Sequence, residues 1–251
     1  MNNLILHIPH SSKHIPCSYV HEYTDKEELE ETILKLTDIY TDELFDADSS
    51  CCTKIVFPFS RVFCDVERFN DEREEMLKYG QGVIYTHGIN GRKFRAPSDH
   101  SVSDIIQNYY EKHKSKVREK IRELEDVILI DCHSFPDDMN KYAPPNLINY
   151  GKLPDICIGY NQGDYVSQNL SRFIADYLNE LGYKTAFNYP FSGSYQIDNV
   201  TSVMIEINKR LYLNEDHLSK RSDFYKTKAL LNGLMKQIEK YETTNCLHRK
   251  R

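Results

Sequence analysis

Four histidines and one buried-looking glutamate carry the chemistry this sequence could perform. The segment LILHIPHSSKHIP places His7 inside an apolar run, His10 directly after Pro9, and His14 in polar loop sequence. His133 follows the apolar run VILIDC, and Glu206 interrupts VMIEI. A neutral imidazole at the end of a buried strand is suited to hold zinc, with a nearby carboxylate to orient it. His133 taken alone reads as a strand-end histidine bonded to backbone; several such coincidences favour a site. A carboxylate in a buried strand must be paired, ligated or protonated, because a lone buried charge is costly or shifts its pKa. Glu206 is therefore either half of a salt bridge or a general base with a raised pKa.

The elements that must position these groups alternate. NLILHI reads as a short buried strand and HSSKHIP as the loop leaving it. Apolar residues Leu29, Ile33, Leu36, Ile39, Tyr40 and Leu44 recur at helical spacing and predict a helix from Asp25 to about Asp46. CTKIVFPF and RVFCDV read as strands, and Gly80 to Pro97 as an irregular excursion. Ser101 with Asp104 gives a capping signature for a helix running to about Glu123. Val127 to Cys132 predicts a central strand covered on both faces. PDICIGY adds a strand, followed by a helix from Tyr165 to Leu181 ended by Gly182. YKTAFNY and SVMIEINK add two more strands, and a helix covers about Ser222 to Tyr241 before a frayed tail, TTNCLHRKR.

Strands alternating with helices predict an α/β fold, a three-layer sandwich around a mixed, mostly parallel sheet, as one domain over residues 1–251. Ligand sites in such sheets gather at the carboxyl ends of the strands. That rule selects His7 and His10, Asp65 with Arg68, His133 with Ser134, and Glu206 with Arg210.

The bulk properties exclude some classes. A net charge of −6 argues against a general nucleic-acid binder. No apolar run reaches membrane-spanning length and the N-terminus lacks a leader pattern, so the expected location is the cytoplasm. The seven cysteines, Cys246 in the tail among them, show no C-x-x-C spacing and read as reduced thiols. Cys64, Cys132 and Cys157 lie in apolar strand-like runs, as small hydrophobes do.

Six short motifs, PHSS..IP, LTDIYTDEL, SRVFCDVER, IDCHS, PFSGSY and IEINKRLY, occur from Pro9 to Tyr212 in an order and spacing that resemble the N-formylglutamate amidohydrolase family. That family is similar in its site logic to zinc carboxypeptidases and to aspartoacylase and succinylglutamate desuccinylase. The resemblance implies one Zn²⁺ per chain, with Mn²⁺ or Co²⁺ as substitutes, held by His10, His133 and Asp38, Asp42 being the alternative carboxylate. It leaves His7 as a core or supporting histidine and His14 as a surface loop residue or substrate contact. Glu206 becomes the general base, and Arg61 the group that polarises the scissile carbonyl. Arg68, with Arg210 as a further candidate, binds an acidic group of a small N-acyl amino acid substrate. Asp65 orients the arginines, and Tyr195 or Tyr212 closes over the substrate. The family's usual Asn in the DLNR motif is Glu67 here, an extra carboxylate beside a pocket expected to accept glutamate.

Two other classes compete. Cys132 beside His133 suggests a cysteine hydrolase, but adjacent strand residues point to opposite faces. A non-catalytic or regulatory metal-binding protein of the same fold would show Glu206 in a salt bridge and no open site beside the metal.

Overall fold

The computed structural model of the protein describes residues 1–46, 49, 51–141 and 150–241; Cys246 and the tail TTNCLHRKR lie outside the described residues. A six-stranded sheet runs in the order β2-β1-β3-β6-β4-β5. Its strands are β1 (Asn3–Ile8), β2 (Cys52–Val56), β3 (Val127–Phe135), β4 (Ile156–Gly159), β5 (Thr185–Phe187) and β6 (Thr201–Asn208). Neighbours pair in parallel except β4 with β6, which is antiparallel. Helices α1 (Lys26–Leu36), α2 (Thr41–Leu44), α3 (Asp99–Ile105), α4 (Glu111–Arg122), α5 (Tyr165–Glu180) and α6 (Phe224–Lys240) flank the sheet, and a hairpin of β7 (Leu213–Asn214) and β8 (Ser219–Lys220) follows β6. This is the mixed, mostly parallel α/β sandwich that the alternating elements predict.

The two faces of the sheet differ in kind. Leu4, Leu6 and Ile8, Ile128, Ile130 and Cys132, and Val203, Ile205 and Ile207 lie on one face and share a core with Ile174 and Leu178 of α5 and Leu231, Leu234 and Ile238 of α6. Burying each such side chain contributes about 1.5–3 kcal/mol. The alternate positions, starting with Ile5 and Leu129, form a smaller core with Val117 of α4. Further along the same face the residues become His7, Asp131, His133 and Glu206, all buried. Period-two alternation in strands buried on both faces therefore separates an apolar side from a polar one.

The structure corrects several predicted boundaries. The helix predicted over Asp25 to Asp46 is two helices, because the chain breaks at Thr37–Tyr40. Thr37 Oγ1 turns back to the Ile33 carbonyl, Tyr40 takes a left-handed φ of 66°, and the Asp38 N–H donates to the carbonyl of His10 at 2.9 Å. Asp38 is consequently buried in a break and is not part of a solvated helix face. RVFCDV is not a strand: after Phe57 the chain turns, with the N–H groups of Phe63 and Cys64 donating to the Ser60 carbonyl and that of Asp65 to Val83. Burial of all five residues from Val62 to Val66 explains why this stretch mimics a strand in sequence. Strand β3 extends to Phe135, so His133 and Ser134 lie within it. The third helix starts earlier than Ser101, because Ser98 is its cap and accepts from the Ser101 N–H. A π-helical stretch, Ile106–Tyr110, joins α3 to α4. Among the described residues no helix is long and apolar enough to cross a membrane.

Candidate active site

The parallel strands β2, β1, β3 and β6 direct their carboxyl ends to one edge of the sheet, and the predicted residues meet there. His10 comes from the loop after β1, Arg61 to Arg68 from the loop after β2, His133 from the end of β3 and Glu206 from β6. His133 and Glu206 are register partners. His7 and Asp131 are likewise partners on β1 and β3.

Every imidazole here is pinned by a carboxylate. His10 Nε2 is 2.9 Å from Asp65 Oδ1, and His133 Nε2 is 3.2 Å from both Glu67 Oε1 and Asp131 Oδ1. Asp65 and Asp131 are both held well below the ordinary carboxylate range: burial pushes the other way, but Arg61 and His10 outweigh it at Asp65, and His133 and His7 at Asp131. Ionised carboxylates accept hydrogen bonds only, so the Nε2 atoms of His10 and His133 donate to them. Their Nδ1 atoms face Asp38, whose Oδ2 lies 3.8 Å from His10 Nδ1 and 3.3 Å from His133 Nδ1. Burial pushes His133 down, but the Glu67 and Asp131 carboxylates outweigh it and hold its pKa well above the usual imidazole range. His10 Nδ1 is buried and has no hydrogen-bond partner.

These donors fit a cation. Two imidazoles and a carboxylate, the imidazoles backed by further carboxylates, are the donor types of an open zinc site. The ligand-capable atoms of His10, Glu67 and His133 lie within 4.8 Å of one another, as do those of His7, Glu67 and Asp131. Asp38 faces the Nδ1 atoms of His10 and His133, and Glu67 their Nε2 atoms. Asp42, on α2, is half-buried, burial pushes its carboxyl up, and like Asp38 it is in neither grouping.

Asp38 is held on all sides. Lys209 Nζ donates to the Thr37 carbonyl at 2.9 Å, Tyr212 hydroxyl to the Ile39 carbonyl at 3.0 Å, and Ser134 Oγ to Asp38 Oδ1 at 3.3 Å. Tyr212 is fully buried in this clamp, so it does not cover a substrate.

Glu206 differs from the other acids. It takes part in no ion pair among the described residues, and its Oε2 is buried without a hydrogen-bond partner. Burial pushes its carboxyl up to about 8, against the opposing pull of His133. The salt-bridge reading of Glu206 therefore fails, and an unpaired buried carboxyl beside His133 remains.

Arg61 donates through Nε and Nη2 to Asp65 Oδ2, at 3.1 and 2.8 Å. Arg68 lies 3.5 Å from the same oxygen, with its Nε lacking a hydrogen-bond partner. Arg61, Arg68 and Glu67 keep 18%, 26% and 20% of their side chains exposed, so they form the open side of the otherwise buried cluster. Tyr195 stacks its ring on His7 at 4.5 Å, while its N–H donates to Asp131 Oδ2. Arg210 is not brought to the site; Asp155, at 2.6 Å, and Asp137 hold it. His14 is exposed and stacks on Phe59. Cys132 points into the apolar core on the opposite face, where burial raises its thiol well above the usual range.

Sequence reasoning missed Asp131, His113 and the supporting place of Glu67. The Asp131 signal was present, since Asp131 and His133 are two apart on one strand and must share a face. His113, from α4, lies 2.9 Å from His7 and has no such signal.

Comparison with known proteins agrees with this fold. In fold, the chain is similar to an N-formylglutamate amidohydrolase from Ralstonia eutropha JMP134, with a TM-score of 0.80 and 22% identity over 96% of this chain and 94% of that one. It is also similar to a gene product of Agrobacterium tumefaciens, with a TM-score of 0.65 and 16% identity over 95% and 92% of the two chains. No curated protein matches by sequence. The profile described as N-formylglutamate amidohydrolase matches residues 2–213, and the chain belongs to that family.

Proposed function

We propose that this protein is a metal-dependent amidohydrolase that cleaves a small N-acyl amino acid of acidic character, such as N-formylglutamate, to the free amino acid and a carboxylate. The observation that carries the reading is Glu206, an unpaired buried carboxylate with a raised pKa beside His133. One Zn²⁺, or Mn²⁺ or Co²⁺ in its place, would be held by His10, His133 and Asp38. When bound, the ion supplies Lewis-acid polarisation of the amide carbonyl and acidifies water at the site.

The remaining steps belong to the chain itself. Glu206 accepts a proton from the attacking water as its oxygen adds to the carbonyl carbon. It returns that proton to the nitrogen as the C–N bond breaks. Arg61, fixed by Asp65 and open on one side, steadies the developing oxyanion, a contribution of about 3 kcal/mol by comparison with other oxyanion donors. Arg68, whose side chain keeps 26% of its surface exposed, grips the substrate carboxylate.

The competing classes lose support on the same observations. A non-catalytic metal-binding role calls for a paired Glu206, and Glu206 has no ion pair among the described residues. A cysteine nucleophile needs Cys132 to reach His133, and Cys132 is buried on the other face of the sheet.

The test is hydrolysis of N-formylglutamate, followed by release of free amine, before and after chelation and re-addition of Zn²⁺. Activity lost on chelation and restored by Zn²⁺ is the expected result. Full turnover by chelated, metal-free protein would overturn the metal requirement, and no turnover of any N-acyl amino acid by the zinc-loaded protein would overturn the activity.

A further inference from the structure

We propose that His113, acting through His7 and Asp131, is a positioning residue for the imidazole ring of His133; the inference rests on the reading of His10, Asp38 and His133 as a cation site. Four side chains from three elements form one buried chain of contacts. His113 Nε2 lies 2.9 Å from His7 Nε2, His7 Nδ1 lies 2.9 Å from Asp131 Oδ1, and the same oxygen lies 3.2 Å from His133 Nε2.

The Asp131 carboxylate meets a ring nitrogen of His7 on one side and one of His133 on the other, and His113 Nε2 closes the far nitrogen of His7. Burial, with the adjacent His7, pushes the pKa of His113 down to about 2. Tyr195 lies against His7 and Phe57 against His113, and Glu67 Oε1 lies 3.7 Å from His7 Nδ1. Asp131 Oδ2 is tied by the Tyr195 N–H at 2.9 Å, which completes the fixation of this carboxylate.

The fold carries a second sign that His113 is placed for a purpose. It lies three residues past the π-helical stretch Ile106–Tyr110. A π turn holds an extra residue, which advances the following helix by about 100° relative to an unbroken α-helix. With that phase, Tyr110 donates its hydroxyl to the Arg68 carbonyl at 2.7 Å, and His113, further along the same helix, reaches His7. One helix thus supports both the arginine loop and the histidine chain.

The experiment measures the Zn²⁺ affinity of the metal-free protein by competition with a chelator, together with the melting temperature of the metal-free form. His113→Leu, which leaves His7 Nε2 unpaired, is expected to weaken Zn²⁺ binding about tenfold or more, the scale of other outer partners of metal-binding histidines. His113→Gln, which supplies an N–H at a similar reach, is expected to restore affinity to within about threefold. Should His113→Leu fail to fold, His7→Asn and His7→Leu take its place: Asn keeps a donor for Asp131 and retains affinity, and Leu loses it. Wild-type affinity in His113→Leu, or equal losses in the Gln and Leu variants, would overturn the inference while leaving the proposed function intact. A wild-type protein that binds no Zn²⁺ would overturn the proposed function, and this inference with it.

Discussion

His133 and Glu206 stand side by side on the parallel strands β3 and β6, as register partners on the polar face of the sheet. One is pinned by carboxylates at both ring nitrogens, and the other has an oxygen with no partner at all. His133 is thus fixed in orientation, whereas one oxygen of Glu206 is left unpaired; the proposed roles of holding and reacting follow that contrast.

Glu206→Gln is expected to keep the fold, the metal content and most substrate affinity while lowering kcat by about 10²–10⁴-fold. Metal analysis beside steady-state kinetics checks this. Near-normal turnover removes Glu206 from proton transfer, and loss of metal makes it a ligand.

The raised pKa of Glu206 also predicts a stability signature in the metal-free protein. Its folded value, about 8, lies above the ordinary glutamate value of 4.5. The folded state therefore holds a proton that the unfolded chain releases between those two values. The associated stability is fully present below pH 4.5 and is lost as pH rises through 8. Denaturant melts of wild type and Glu206→Gln across this window should show the extra decline in wild type only.

Asp38→Asn and Glu67→Gln separate the two carboxylates that approach His10 and His133. If Asp38 shares the ion with their Nδ1 atoms, Asp38→Asn loses most of the bound Zn²⁺ and Glu67→Gln keeps it. The reverse pattern, measured by metal stoichiometry after dialysis, would place the ion on the Nε2 side.

The clamp on Asp38 gives a prediction of its own. Lys209→Met removes the donor to the Thr37 carbonyl and Tyr212→Phe the donor to the Ile39 carbonyl. Each loses a buried hydrogen bond, at a cost of about 1–3 kcal/mol. Both variants should lower the melting temperature and weaken Zn²⁺ binding together. A drop in stability at unchanged metal affinity would mean the clamp serves the fold alone.

Arg68→Ala is expected to raise KM for acidic N-acyl amino acids far more than for neutral ones, because the partly exposed Arg68 guanidinium stands at the open side of the cluster. Arg210→Ala should leave KM unchanged, since Asp137 and Asp155 already hold that guanidinium. A preference of the wild type for neutral or basic substrates would show that Glu67, also on the open side, sets specificity against a second carboxylate.

Much of this protein was legible in the sequence. Apolar runs ending in His or interrupted by Glu identify β1, β3 and β6, because a buried strand admits a polar residue only where the fold has a use for it. The alternation of strands with helices determined the sandwich, and the carboxyl-end rule selected His10, His133 and Glu206 without knowledge of the pairing. Other features were decided only in three dimensions. The break at Asp38 depends on partners in His10 and Lys209, distant in the chain, so helical periodicity runs straight through it. RVFCDV mimics a strand because complete burial, whatever the backbone conformation, selects the same apolar residues. Arg210 and Arg68 are alike as residues, and only the positions of Asp137 and Asp155 divert the first. His113 reaches His7 through the phase set by a π turn. Local sequence records burial and periodicity, whereas the partner of a long polar side chain is set by which strands become neighbours, and that pairing exists only in the folded chain.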